Sequence, residues 1–246
     1  MKMEAAIDLL RNKTILVTGS SRGLGLEICR LASSNGYYVI GVARPSEDLD
    51  ALALALSTSP GGGRVEACDL SDSAELDKLL FGLRDDVQCI VHNLGGTLGL
   101  QDALFSGRDF IRSISTNFIP ALEINRALIP RMILSESGTV IHISSMASIV
   151  NQGSASYSVA KAMLSSYAAN LGNKLSASGI KVFNLVPSKI VSEAVKSGFQ
   201  TDVYTYEEVA RLVMLMLSGA LDLMSGSSFH LDRTEVGLVA LSNPEH

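Results

Sequence analysis

The chain has 246 residues, 47% of them apolar and 18% charged, with a formal net charge of -5 and a pI near 5.4. That acidic balance argues against a nucleic-acid footprint and against binding to an anionic membrane surface, and the length suits one α/β domain over residues 1–246. Cys29, Cys68 and Cys89 are odd in number and lack C-x-x-C spacing, the pattern of free thiols in a reducing cytoplasm.

The segment Met1–Arg11 carries two acids, Glu4 and Asp8, within a short apolar stretch and so lacks a secretory h-region. The first predicted strand, Thr14–Thr18, runs into Gly19-Ser20-Ser21-Arg22-Gly23-Leu24-Gly25 and a helix over Gly23–Ser33. A second strand, Tyr37–Val42, ends at Ala43-Arg44, and Glu47 and Asp48 begin a helix beyond Pro45. Ser57–Gly63 is a turn by composition. The strand Arg64–Ala67 leads to Asp69-Leu70 and a helix over Ala74–Leu83. The strand Gln88–His92 leads to Asn93-Leu94-Gly95-Gly96, and one long helix is predicted over Asp109–Leu134. Then follow the strand Thr139–Ile143 with Ser144 and Ser145 at its end, a helix over Tyr157–Ser176, and the strand Lys181–Val186, which leads to Pro187 and Ile190. A helix over Tyr206–Leu217 and the strand Ser228–Leu231 complete the order. The run Val209–Met224 contains Arg211 and Asp222 and is too short to cross a bilayer, so it reads as a buried helix.

The strands are continuous apolar runs alternating with helices, as expected of βαβ units whose helices cover both sheet faces. The predicted fold is a Rossmann-type, doubly wound sheet of about seven mostly parallel strands.

Glycines between the first strand and its helix suit a tight turn where a pyrophosphate approaches a helix N-terminus. Their Gly-x-x-x-Gly-x-Gly spacing differs from the commoner Gly-x-Gly-x-x-Gly fingerprint. At the end of the second strand an acid would meet a ribose 2′-hydroxyl and an arginine a 2′-phosphate. Arg44 stands there, with Arg22 in the turn, which favours NADP over NAD. Asp69 is placed to accept from an adenine amino group, or else to begin the next helix with Ser71.

Tyr157-Ser-Val-Ala-Lys161 puts a phenol and an ammonium one helical turn apart on one face. A nearby cation lowers a phenol's pKa toward the range useful for acid/base work. His92 and His142 end two predicted strands, but two histidines without a third ligand make no metal site.

Taken together, these motifs resemble the short-chain dehydrogenase/reductase family in its single-domain form, over about Lys13 to Asp232. The carriers are the Thr18-Gly19-x-x-x-Gly23-x-Gly25 turn, Asp69, the Asn93-Leu94-Gly95 stretch, Asn117, a serine at 144 or 145, and Tyr157-x-x-x-Lys161. The resemblance implies that Tyr157 is the general acid toward a carbonyl oxygen. Lys161 would lower its pKa and hold the nicotinamide ribose, and Asn117 would anchor a water for proton relay. Gly138-Thr-Val-Ile-His-Ile-Ser-Ser145 matches the family's strand motif, whose second serine polarises the substrate carbonyl. That selects Ser145, whereas the family's usual separation of about thirteen residues from the tyrosine selects Ser144. Strand ends are fixed by the sheet while the loop after them tolerates deletion, so Ser145 is preferred. Pro187 and Ile190 would contact the nicotinamide. The implied cofactor contacts are Gly19, Ser21, Arg22, Gly23, Leu24, Gly25, Arg44, Asp69, Leu70, Asn93, Gly95, Tyr157, Lys161, Pro187 and Ile190. Departures from the family pattern are Leu94 for a small alanine, Ser188 for glycine, and Asp232-Arg233-Thr234 for Asp-Gly-Gly.

The implied activity is NADPH-dependent reduction of a ketone, with a 3-oxoacyl thioester as default substrate. The alternative is a keto-sugar or other polar carbonyl, suggested by His92, Thr97, Asn151 and Gln152. A further alternative is a non-catalytic NADP-binding sensor, disfavoured because Asn117, a serine, Tyr157 and Lys161 are all present. The segment Val191–Thr205 is the expected substrate lid. The helices Asp109–Leu134 and Tyr157–Ser176, apolar around much of their circumference, call for a second copy of the chain, in a homodimer or homotetramer.

Overall fold

The computed structural model describes residues 13–83, 85–100, 103–150, 154–191, 203–221, 223–231 and 239–241. In chain order the first elements are β1 (Thr14–Thr18), α1 (Gly23–Ser34), β2 (Tyr38–Ala43), α2 (Glu47–Ser57), β3 (Gly63–Ala67), α3 (Ser73–Gly82) and β4 (Val87–His92). Next come α4 (Gly107–Asn117), α5 (Ile119–Leu134), β5 (Gly138–Ile143), the single turn α6 (Ala147–Val150), α7 (Ala155–Leu175) and β6 (Ile180–Pro187). The chain continues through β7 (Ile190–Val191), β8 (Tyr204–Thr205), α8 (Tyr206–Ser218), β9 (Ser228–Leu231) and β10 (Val239–Leu241).

The chain divides into two compact units. The first comprises residues 1–93 and 190–223, the second residues 94–189 and 224–246. In the first unit β4, β1, β2 and β3 lie side by side in that order, all parallel. This is the mononucleotide-binding half of a Rossmann-type, doubly wound fold. Ile15, Leu16, Val17, Val39, Ile40 and Val42 are wholly buried, which explains why these strands read as apolar runs without alternation. Along α1 the buried apolar side chains are Leu24, Ile28, Cys29 and Ala32, one stripe at helical spacing. Ser46 caps α2 by accepting from the Leu49 N–H at 3.2 Å, and Glu47, Asp48 and Asp50 in the first turn suit the helix dipole. At the other end of the unit, Thr205 and Glu208 form a reciprocal capping box that fixes where α8 begins.

In the second unit β5, β6 and β9 run parallel and β10 joins β9 antiparallel. The predicted helix over Asp109–Leu134 is two helices here. The backbone at Phe118 leaves the helical region (φ -132°, ψ -53°), and Pro120 follows at the start of α5. Proline has no N–H to bond back and restricts the residue before it, so the ladder is interrupted there. The break leaves Asn117 as the last residue of α4. Among the described residues no helix is long and apolar enough to cross a membrane.

Candidate active site

In the first unit the turn after β1 is held by backbone. The N–H groups of Gly19 and Ser20 both reach the Val42 carbonyl, at 2.8 and 3.3 Å. Gly19 and Gly23 have φ of +66° and +58°, a region open to glycine at little cost. At Gly25 a side chain would collide with the Gly19 carbonyl oxygen and come within 2.6 Å of Asn93 Nδ2. Gly25 is thus required for closing the turn on itself, a more local reason than the approach of a ligand. Asn93 ties the same corner from β4: its N–H donates to Thr18 Oγ1 at 3.0 Å and its amide to the Gly19 carbonyl at 3.2 Å. Leu24 is buried, and Ser21 is partly exposed. Arg22 occupies the N-cap of α1 and makes no side-chain cap, so no side chain there spends the first-turn N–H groups.

Arg44 is exposed just past β2, and its charge helps hold the Asp69 carboxyl below its ordinary range, though the larger cause is a hydrogen bond from the Ser71 hydroxyl. Asp69 Oδ1 accepts from both the Ser71 N–H (3.0 Å) and the Ser71 hydroxyl (2.7 Å). Of its two readings from sequence, that is the local, turn-forming geometry. Leu70 beside it is buried. Ile190 lies in β7, paired parallel with β8 at Tyr204.

The second unit assembles Asn117, Ser144, Ser145, Tyr157, Lys161, Gly95 and Pro187. Lys161 is 3% exposed and donates from Nζ to the carbonyls of Ile143 (2.9 Å) and Leu94 (3.3 Å). Removal from water pushes its pKa down to about 8. Its ammonium nitrogen stands 5.8 Å from the centre of the Tyr157 ring. The Tyr157 phenol is shifted upward, because burial outweighs the nearby Ser145 hydroxyl, which pulls the other way. The sequence suggested a phenol lowered by its neighbouring cation. Here desolvation prevails, because burial of the phenol disfavours its charged form more than its surroundings favour it.

The two serines have separate surroundings. Ser144 is 4% exposed, with its hydroxyl donating to the Lys161 carbonyl (3.1 Å) and paired with Ser165 Oγ at 2.7 Å. Ser145, partly exposed, lies close enough to the Tyr157 phenol to favour its ionised form and accepts from the Ala147 N–H at 3.2 Å. Asn117, buried, grips both sides of Gly96: Oδ1 accepts from its N–H at 2.9 Å and Nδ2 donates to its carbonyl at 3.1 Å. A side chain on Gly95 would come within 2.6 Å of Asn117 Oδ1 and 2.9 Å of Lys161 Nζ. The small residue at 95 therefore lets the loop close over the ammonium. Pro187, buried at the end of β6, accepts from the Met146 N–H at 2.9 Å.

His142 lies in the core, 3.4 Å from Asn125 Nδ2 and edge-on to the Tyr167 ring. Among the described residues no cluster of three or more His, Cys, Asp or Glu is placed to hold a metal. Asn151 and Gln152, and residues 192 to 202 of the lid expected over Val191–Thr205, lie outside the described residues. Sequence reasoning missed the carbonyl acceptors of Lys161 and the Asn117–Gly96 clamp. Backbone groups carry no residue signal, so no motif announces them. It also missed Tyr206, whose ring packs on Gly23.

The sequence matches the family described as short chain dehydrogenase over residues 13–215. The chain belongs to that family. It is 29% identical over 236 residues to the 3-oxoacyl-[acyl-carrier-protein] reductase of Rickettsia prowazekii, covering 91% of this chain and 96% of that protein. It is 30% identical over 156 residues to a fatty acyl-CoA reductase of Acinetobacter baylyi, covering 61% of this chain and 53% of that protein, so it spans about half the length of that relative. Its fold is shared by the L-sorbose reductase of Gluconobacter frateurii, solved with NADPH and L-sorbose, at a TM-score of 0.81 and 20% identity over 91% of this chain and 96% of that one. As a family member the chain is an oxidoreductase that binds a nicotinamide cofactor and acts on a small molecule. In the first unit two left-handed glycines and a helix N-terminus without a side-chain cap fit the pyrophosphate of such a cofactor, and the second unit by itself holds a buried ammonium beside a side-chain-free Gly95.

Proposed function

We infer that the chain acts as a single NADPH-dependent reductase domain that converts a ketone to a secondary alcohol, with a 3-oxoacyl thioester as substrate. The observation that carries this reading is the Ser145–Tyr157–Lys161 set, with Ser145 close enough to the phenol to favour its ionised form and Lys161 buried one helical turn away. When bound, the reduced nicotinamide supplies hydride to the carbonyl carbon. Tyr157 gives its proton to the carbonyl oxygen, so the products are an alcohol and a phenolate that takes a proton back from water. Burial keeps the phenol protonated until the oxygen becomes basic. Lys161, mostly ammonium at pH 7, favours the phenolate as it forms. Ser145 donates to the same carbonyl oxygen and lowers the cost of its developing charge. Asn117 holds Gly96 and so keeps the loop around Gly95 in place over Lys161.

Use of NADPH rests on Arg44 and Arg22, both exposed, and on Ala43 where an acid would select NAD. The thioester is supported by similarity to the Rickettsia reductase over most of both chains. Cytoplasmic action and a homodimer or homotetramer belong to the same proposal. Ile111 on α4 is 61% exposed and Val159 on α7 is 43% exposed, apolar positions that a second copy would cover. A monomer by light scattering at micromolar concentration would refute the assembly.

The test is NADPH consumption with acetoacetyl-CoA, using the parent and Tyr157→Phe, repeated with NADH. Turnover that prefers NADPH and falls by about 10³-fold in the variant supports the reading, within the usual range for general acid catalysis. NADPH binding without turnover discards the thioester and moves the search to polar ketones.

A further inference from the structure

Tyr206 is the first residue of α8, and its position is fixed by the capping box between Thr205 just before it and Glu208 two residues after it. A side chain at Gly23 would point at the hydroxyl end of this tyrosine, 3.4 Å from Cζ and 3.7 Å from Oη. The ring thus covers the glycine turn from outside, with its polar end at the N-terminus of α1. Among the described residues that hydroxyl has no hydrogen-bond partner, and the ring is only partly exposed. On the neighbouring residues, β8, which pairs with β7 at Ile190, leads directly into the helix that carries Tyr206.

A tyrosine needed only for packing on a glycine turn gains nothing from a hydroxyl. An O–H donor beside uncapped N–H groups instead adds to an anion-binding surface, because all the groups there present hydrogens. We propose that Tyr206 is a further cofactor-binding residue, whose phenol hydroxyl donates to the pyrophosphate held at the Gly19–Gly25 turn. The inference rests on that turn being the cofactor site. It deepens the site by adding a residue that lies far from the turn in sequence and in none of the family-like motifs.

The experiment measures dissociation constants, not turnover. NADPH, 2′-phospho-ADP-ribose and adenosine 2′-monophosphate are titrated into the parent and Tyr206→Phe by calorimetry, with nicotinamide fluorescence as a second readout for NADPH. Phenylalanine keeps the ring on Gly23 and removes only the hydroxyl, so the thermal midpoint of the cofactor-free protein stays unchanged. Loss of a hydrogen bond to a charged group predicts about tenfold weaker binding of NADPH and of 2′-phospho-ADP-ribose. Adenosine 2′-monophosphate, which has no pyrophosphate, binds both proteins alike. Equal loss for all three ligands, or loss for none, overturns the proposal while leaving the site reading intact. A parent that binds none of them overturns both.

Discussion

Burying Lys161 has a thermodynamic consequence that can be worked through. Its ordinary pKa of 10.5 falls to about 8 in the folded protein because the ammonium loses its hydration. The group is depressed, and it is cationic when protonated. Between those values the unfolded chain therefore holds a proton that the folded chain has released. By linkage, stability rises with pH across the window from 8 to 10.5, and the cost of burying the charge is felt in full below pH 8. From pH 7 to pH 9.5 the gain attributable to this one group is about 2 kcal/mol, at roughly 1.4 kcal/mol per unit of pKa difference. Lys161→Met keeps the aliphatic stem and abolishes the titration. The variant also leaves the Ile143 and Leu94 carbonyls without their donor, but that cost does not depend on pH. Urea unfolding of both cofactor-free proteins at pH 7 and pH 9.5 isolates the term as the change in their stability difference. The parent should gain about 2 kcal/mol relative to the variant. A difference flat across that range would show that Lys161 titrates near its ordinary value, and the argument from desolvation would fail.

The serines give a double test: Ser145→Ala should lower kcat on the order of 10²-fold with little change in stability, as for loss of one donor to a developing oxyanion. Ser144→Ala should leave kcat within a few-fold but lower stability by about 1–2 kcal/mol, since it strips the buried bonds to Lys161 O and Ser165, and urea midpoints with steady-state rates check both. Arg44→Ala should raise the KM for NADPH about tenfold and leave that for NADH unchanged, the loss of one charge-assisted contact to a 2′-phosphate. Gly25→Ala should cost about 1–3 kcal/mol and abolish NADPH binding, because the new methyl meets the Gly19 carbonyl, and calorimetry of the purified variant tests it.

Much of the fold is legible because the local signals agree. The buried runs Thr14–Thr18 and Ser228–Leu231 are strands with the bounds that apolar, β-branched and aromatic content suggests. Where bounds moved, as at Gly138 and Ile180, pairing with a neighbouring strand extended the ladder by a residue that composition alone would not include. The split of Asp109–Leu134 was visible in Pro120 but outweighed by the long apolar pattern around it. The short strands β7 and β8 have two residues each and carry no periodicity to read.

For the site, the sequence by itself determined which chemical groups are available: the glycine turn, two arginines, an amide at 117, a serine pair, and a phenol and an ammonium one helical turn apart. Helical spacing alone puts Tyr157 and Lys161 on one face, because that geometry is local. Only the tertiary structure decided the rest. It turned Ser144 into α7 and Ser145 toward Tyr157, although the two are adjacent in sequence. It set the direction of the Tyr157 and Lys161 shifts, because desolvation depends on what packs around a group and not on its neighbours in sequence. It also brought Tyr206 to Gly23 across the chain, through helix packing that no spacing rule encodes.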